Sequence, residues 1–147
     1  MGPITLGSTM QAITPHLKNL QKKRIPCYEV GIDGEELIDV YFFGGEKAFM
    51  LNFDPQSKKL ASITIMHKDL KTAQGIGTNS TAADILRVCP DTQFELFLMT
   101  GTDMCKSEKC GLSFDFDDVV CEYEPGMEVN GKPVRTSLKP IRMYIKM

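Results

Sequence analysis

No run of apolar residues in this 147-residue chain approaches the ~20 needed to cross a bilayer as a helix, which sets aside a helical membrane span. An excess of charge of one sign is missing as well. Seventeen Lys and Arg stand against nineteen Asp and Glu, mixed along the chain, for a net charge of −2. That balance leaves no electrostatic footprint for nucleic acid or for an anionic membrane surface. Histidine is scarce, with two residues. The glycines of "GIG" at Gly75–Gly77 lack the lysine and spacing of a phosphate loop. The acidic run "DFDD" at Asp115–Asp118 lacks the glycine-centred loop that calcium ligands need. No complete catalytic, metal or cofactor motif is present, so composition and motifs point to no cofactor.

What is present reads as one ordinary domain. Hydrophobic residues make up 42% and charged residues 24%, typical of a globular protein. A phrase recurs: "ITLGST" begins at Ile4 and "IGTNST" at Ile76. Ile4 and Ile76, Ser8 and Ser80, Thr9 and Thr81, and Ile13 and Ile85 all stand 72 residues apart. Ser8 and Ser80 each precede a segment of helical apolar spacing, where a serine can accept the first free N–H groups. Behind Ser80, Ala82, Ile85, Leu86 and Cys89 share one helical face. Behind Ser8 the pattern is broken by Pro15, so a short turn is expected, then a new helix with Thr14 as N-cap and Pro15 at its first position. The basic run "QKKR" at Gln21–Arg24 reads as the end of that helix, its cations complementing the dipole.

After each helix come alternating segments: "LIDVYFF", "AFMLNFD" and "LASITIM", then "QFELFLM", "GLSFDFD" and "PIRMYIK". "DPQSKK" is turn chemistry and makes the second and third of these a hairpin. The expected fold is therefore α+β. It is one domain, 1–147, built from two related halves of about 1–70 and 71–147, each a helical segment followed by an antiparallel meander of three or four strands. The expected core is Ile13, Leu17, Phe49, Leu51, Phe53, Ile63, Ile65, Ile85, Leu86, Phe94, Leu96, Leu98, Leu112, Phe114, Phe116, Ile141, Met143 and Ile145. Tyr41, Phe43, Phe97 and Tyr144 fall on the opposite strand faces.

The opening "ITLGST", the strand pair in "FMLNFDPQSKKLASITIMHK" and the segment "TAQGIGTNSTAADI" resemble a group of small bacterial cell-envelope proteins. Many of that group are lipoproteins of unassigned function. Their helix-then-sheet repeat is similar to that of the small outer-membrane assembly lipoproteins and the tandem-repeat secreted β-lactamase inhibitors. The resemblance runs from Ile4 to about Phe116 and implies a periplasmic or outer-membrane-anchored protein whose export signal has been removed. It carries no binding residue over.

Five cysteines bear on the same question: Cys27, Cys89, Cys105, Cys110 and Cys121. Four of them fall after residue 88, a clustering that fits either a disulfide framework in an oxidising compartment or a set of reduced, buried thiols. "CKSEKC" is polar between its ends and lies between two apolar strands, so a local disulfide between Cys105 and Cys110 is expected. Cys89 with Cys121 is a candidate second bridge. Zinc would need further ligands from Cys89, Cys121, His16 or His67, and is the less economical reading.

Two function classes follow. The first is a non-catalytic binding or assembly module of the envelope, holding another envelope protein, a peptide or a glycan on an exposed sheet face. The second is a small hydrolytic or thiol-based enzyme in which the fold brings a cysteine to His16 or His67. A lone histidine is more often a surface or core polar residue, and nothing local marks a nucleophile. Asp115 and Asp117 read as the solvated face of a strand. "NST" at Asn79–Thr81 matches a glycosylation sequon but is better explained as a helix cap. The first class is the expectation, with no catalytic residue.

Overall fold

The computed structural model describes residues 4–146. The chain begins with a one-turn helix, α1 (Met10–Ile13), capped by Thr9, whose hydroxyl accepts the Ala12 N–H at 3.3 Å. Thr14 does not start a new α-helix. Its hydroxyl donates to the Met10 carbonyl, and a 3-10 turn, Thr14–Leu17, carries Pro15 into the next segment. Ile13 and Leu17 are buried from these two turns. The second helix, α2 (Ala82–Val88), is capped by Thr81 and closed by a reciprocal box: Asp84 Oδ2 accepts the Thr81 N–H while Thr81 Oγ1 accepts the Asp84 N–H. Both caps thus sit one residue later than expected, still 72 apart. Ser80 instead accepts the Gly77 N–H and folds the preceding loop.

The strands are β1 (Gln21–Pro26), β2 (Leu37–Phe43), β3 (Glu46–Phe53), β4 (Leu60–Ile65), β5 (Gln93–Phe97), β6 (Thr102–Ser107), β7 (Leu112–Asp115), β8 (Cys121–Glu122), β9 (Lys132–Pro133) and β10 (Arg142–Lys146). Eight of them form one antiparallel sheet in the order β1-β2-β3-β4-β10-β7-β6-β5, and β8 with β9 makes a small separate ribbon. The fold is α+β in kind and mainly sheet. Residues before 70 supply one block of four strands and residues after 90 the other. The blocks meet where β4 pairs β10, with Ile65 opposite Met143 and Ile63 opposite Ile145. "QKKR" is β1 itself, not a helix end. A short edge strand studded with Lys and Arg resists pairing with another sheet, and Lys22 and Arg24 lie near Asp39 of β2.

One face of the sheet carries the helices and the main core, which includes Ile13, Ile63, Ile65, Ile85, Phe94, Phe114 and Met143. Leu98 and Ile141 do not join it. They stand 63% and 42% exposed because β5 ends at Phe97 and β10 begins at Arg142, so both lie beyond the ladder. The other face is covered over β2 and β3 by a 3-10 turn, Cys27–Val30, which buries Val30 against Val40 and Met50. Over β5, β6, β7 and β10 that same face has no such lid.

Cys110 is bonded to Cys89, not to Cys105, with Cα atoms 6.1 Å apart. Cys105 lies within β6, opposite Phe94 and Phe114, and its side chain points to the helix side as a buried small hydrophobe. Cys110 lies in the turn after β6, where the chain bends back over the end of α2. The junction is also held by Asp91, which accepts from the Ser107 hydroxyl at 2.6 Å and the Lys109 N–H at 3.0 Å. Cys121 is a buried free thiol, so it is not the partner of Cys89.

Candidate functional site: the open face of the sheet

Strand alternation decides which side chains reach the uncovered face. Cys105 and Phe114 point to the helices, so Met104, Lys106, Ser113 and Asp115 point the other way. Register places Glu95, Met104, Asp115 and Arg142 in one row across β5, β6, β7 and β10. The next row runs Lys106, Ser113, Tyr144, and continues through Thr64 to Met50. The first row, with Lys106, Ser113 and Tyr144 of the second, floors a cleft of about 440 Å³. Phe97 lines it from β5, and Gly31 and Ile32 from the loop after the Cys27–Val30 turn.

Asp115 organises the floor. Its Oδ2 accepts a hydrogen bond from the Tyr144 hydroxyl at 2.5 Å, and Arg142 Nε lies 3.3 Å from the same oxygen. Both side chains of the ion pair are about four-fifths buried, at 19% and 22% exposure. Burial, then the hydrogen bond to Asp115 and its charge, push the Tyr144 phenol up, so it stays protonated and donates. Arg142 Nη1 donates to the Val30 carbonyl, which ties the covering turn to the open face. Arg142 Nε is buried without an acceptor in hydrogen-bonding alignment. Gly31 makes this approach possible. Its φ is 77°, and a Cβ there would collide with the Arg142 guanidinium.

Of the aromatic residues expected opposite the core, Phe97 and Tyr144 lie on this face. Tyr41 does not. It is buried on the helix side, stacked on Phe49 with ring centroids 4.9 Å apart. Phe43, half exposed, packs edge-on against His67. The face of β2 was assigned the wrong way round because both of its faces are apolar, so alternation alone does not say which meets the helices. Asp115 and Asp117 also part company. Asp115 is engaged in the cleft floor, whereas Asp117 is exposed beyond the end of β7.

His67 is buried, and both ring nitrogens are engaged. Nε2 lies 3.0 Å from Glu46 Oε2, and Nδ1 accepts the Asp69 N–H at 3.2 Å. His16 is exposed. Among the described residues neither histidine has a thiol partner, so the geometry assembles no Cys–His pair. Two of the thiols, Cys105 and Cys121, are poor nucleophiles. Burial pushes Cys105 well above the ordinary thiol value and, with Asp103 nearby, pushes Cys121 up to about 12.

Asp103 escaped sequence reasoning. It is fully buried on β6, and Oδ2 accepts the Val120 and Cys121 N–H groups at 2.7 and 2.8 Å while Oδ1 accepts the Tyr123 hydroxyl at 2.5 Å. Three donors converging on one carboxylate hold the 116–123 segment against the sheet end. Its place in the alternation, inward between Thr102 and Met104, was the available signal. Among the described residues no cluster of His, Cys, Asp or Glu is arranged to hold a metal ion. No helix is long and apolar enough to cross a membrane.

Among solved structures the chain is similar to the uncharacterized protein yfeY from Escherichia coli, with a TM-score of 0.57 and 14% identity, covering 99% of this chain and 95% of that one. The likeness is one of fold and extends over nearly the whole of both chains. No family model and no curated protein matches the sequence.

Proposed function

We propose that the protein is a non-catalytic binding module of the bacterial cell envelope, which holds its ligand in the cleft on the open face of β5, β6, β7 and β10. The observation that carries this reading is the asymmetry of the second face. It is roofed over β2 and β3 by the Cys27–Val30 turn and left as a cleft over the other block, with polar groups on its floor and Ile32 and Phe97 at its rim. A concave site of this size with a few fixed polar groups suits a small ligand or a segment of a larger one. The floor supports binding over catalysis, because Asp115 is engaged by the Tyr144 hydroxyl and the Arg142 guanidinium, and among the described residues no activated nucleophile faces the cleft. Envelope residence is supported by the Cys89–Cys110 bridge, since disulfides persist in oxidising compartments. Lipid anchoring belongs to this proposal as an expectation from the resemblance alone. So does descent from two related halves, supported by caps Thr9 and Thr81 in equivalent positions and by the two four-strand blocks.

The test is equilibrium dialysis of the wild-type protein and Ser113→Trp against an envelope extract, followed by mass spectrometry of what each retains. Ser113 is half-buried in the centre of the floor, so an indole there fills the cleft while leaving the core face untouched. A compound enriched at least tenfold by the wild type and not by the folded variant supports the reading. Equal retention by both overturns it.

A further inference from the structure

We infer that the ligand of this cleft is a single-chain amphiphile with an anionic head, a proposal that rests on the binding reading above. The cleft is chemically graded along the strand axis. Phe97 pairs with Thr102 at one end, Met104 lies two residues further along β6, and Lys106 two further again. On β10 the order is the same: Arg142 is level with Met104, Tyr144 with Lys106, and Lys146 lies one step beyond. The Phe97 end holds an aromatic ring that is 43% exposed, with the uncharged Thr100 and Thr102 beside it, and Ile32, 44% exposed, adds apolar surface to the cleft wall. The far end carries two ammonium groups. At ~3.3 Å per residue, Phe97 and Lys106 are separated by roughly 13 Å along the strands, close to the length of a twelve-carbon chain.

Of the charges in between, the central pair is already matched. Arg142 and Asp115 pair with each other, and Glu95 lies on the outer strand at the middle level, away from the cationic end. Lys106 has one weak, exposed partner, Glu108 at 3.7 Å. Lys146 lies over the Tyr144 ring, 5.5 Å from its centroid, and among the described residues forms no ion pair. An anion at this end would therefore gain two cations without breaking a buried bridge, while its chain covers Met104 and Phe97. A neutral or cationic head gains nothing there, and an acidic group without a chain leaves the apolar end wet.

The test is isothermal titration with dodecanoate below its micelle concentration, against dodecyltrimethylammonium and acetate as controls. The proteins are the wild type, Lys106→Met/Lys146→Met and Phe97→Ser, all exposed substitutions checked by circular dichroism. Dodecanoate should bind the wild type, at least tenfold more tightly than either control. The double methionine variant should lose about tenfold for dodecanoate and nothing for dodecyltrimethylammonium, and Phe97→Ser should weaken both chains alike. A monoacyl phosphatidylglycerol run beside dodecanoate separates the sources: the tighter of the two identifies a lipid headgroup or a free fatty acid. Equal binding of the anionic and cationic chains, or no binding of either anion, overturns the inference. If the extract still yields a compound whose retention depends on an open cleft, the binding reading survives that failure.

Discussion

The disulfide offers the most quantitative perturbation. Cys89 and Cys110 are separated by 21 residues. Closing a loop of that length removes unfolded-chain entropy amounting to roughly 3 kcal/mol at 25 °C. For 147 residues the entropy of unfolding is on the order of 0.3 kcal/mol/K, so the loss corresponds to about 10 °C in Tm. Cys89→Ala/Cys110→Ala should therefore melt about 10 °C below the wild type in differential scanning calorimetry. Reductant should lower the wild-type Tm by a similar amount and leave the double variant unmoved. Cys105→Ala serves as the discriminating control. It creates a small core cavity and loses about 1–2 kcal/mol, but its reductant response should remain that of the wild type. A reductant response abolished by Cys105→Ala, or a double variant that melts with the wild type, would refute the pairing and the reasoning built on it.

Further outcomes follow from the buried groups. Unreduced protein unfolded in denaturant should titrate three thiols with Ellman's reagent, and the folded protein close to none, because Cys27, Cys105 and Cys121 are all buried. Asp103→Asn presents an amide to donors that now meet a carboxylate, and should cost about 3 kcal/mol in urea unfolding. Tyr123→Phe, which removes one of those donors, should cost about 1 kcal/mol. Asp54, Asp84, Asp91 and Asp118 are held below the ordinary carboxylate range, in each case chiefly by a backbone N–H. Their stabilisation is full above the unfolded value and is lost as pH falls through the depressed folded values. Urea midpoints should thus be flat near neutrality and drop below about pH 4. Thr81→Ala should cost about 1 kcal/mol from the α2 cap near neutrality, and less in acid, because the Thr81 hydroxyl also helps hold the Asp84 carboxylate down.

Much of the sheet could be read from alternation, because most strands bury one face under the helices and expose or polarise the other. "GLSFDFD" and "SITIM" declare their faces in this way, and Phe114, Ile63 and Ile65 are buried as expected. "LIDVYFF" declares nothing, since Val40 is buried on one side and Tyr41 on the other. The basic strand β1 was misread for a related reason. Its apolar face is minimal because an edge strand has little to cover, and its lysines fit a helix end equally well. The disulfide was obscure because sequence proximity suggested Cys105, while strand parity sent that thiol into the core and the next turn carried Cys110 to α2. The cleft was half legible. Phe97 and Tyr144 belong to the face set apart from the core, but the row joining Glu95, Met104, Asp115 and Arg142 exists only through the register of four strands. The lid over the neighbouring block depends on Gly31, whose need for a positive φ no local pattern announces.

The central claim, that a ligand occupies the cleft, is tested most directly by methyl spectra of protein labelled at its methionines. Met104 lies in the cleft floor, Met50 under the Cys27–Val30 turn and Met143 in the main core. On titration with the compound retained from the extract, and with dodecanoate, the Met104 methyl resonance should shift and saturate while those of Met50 and Met143 stay in place. A saturable shift of Met50 or Met143 with Met104 unmoved would contradict the account.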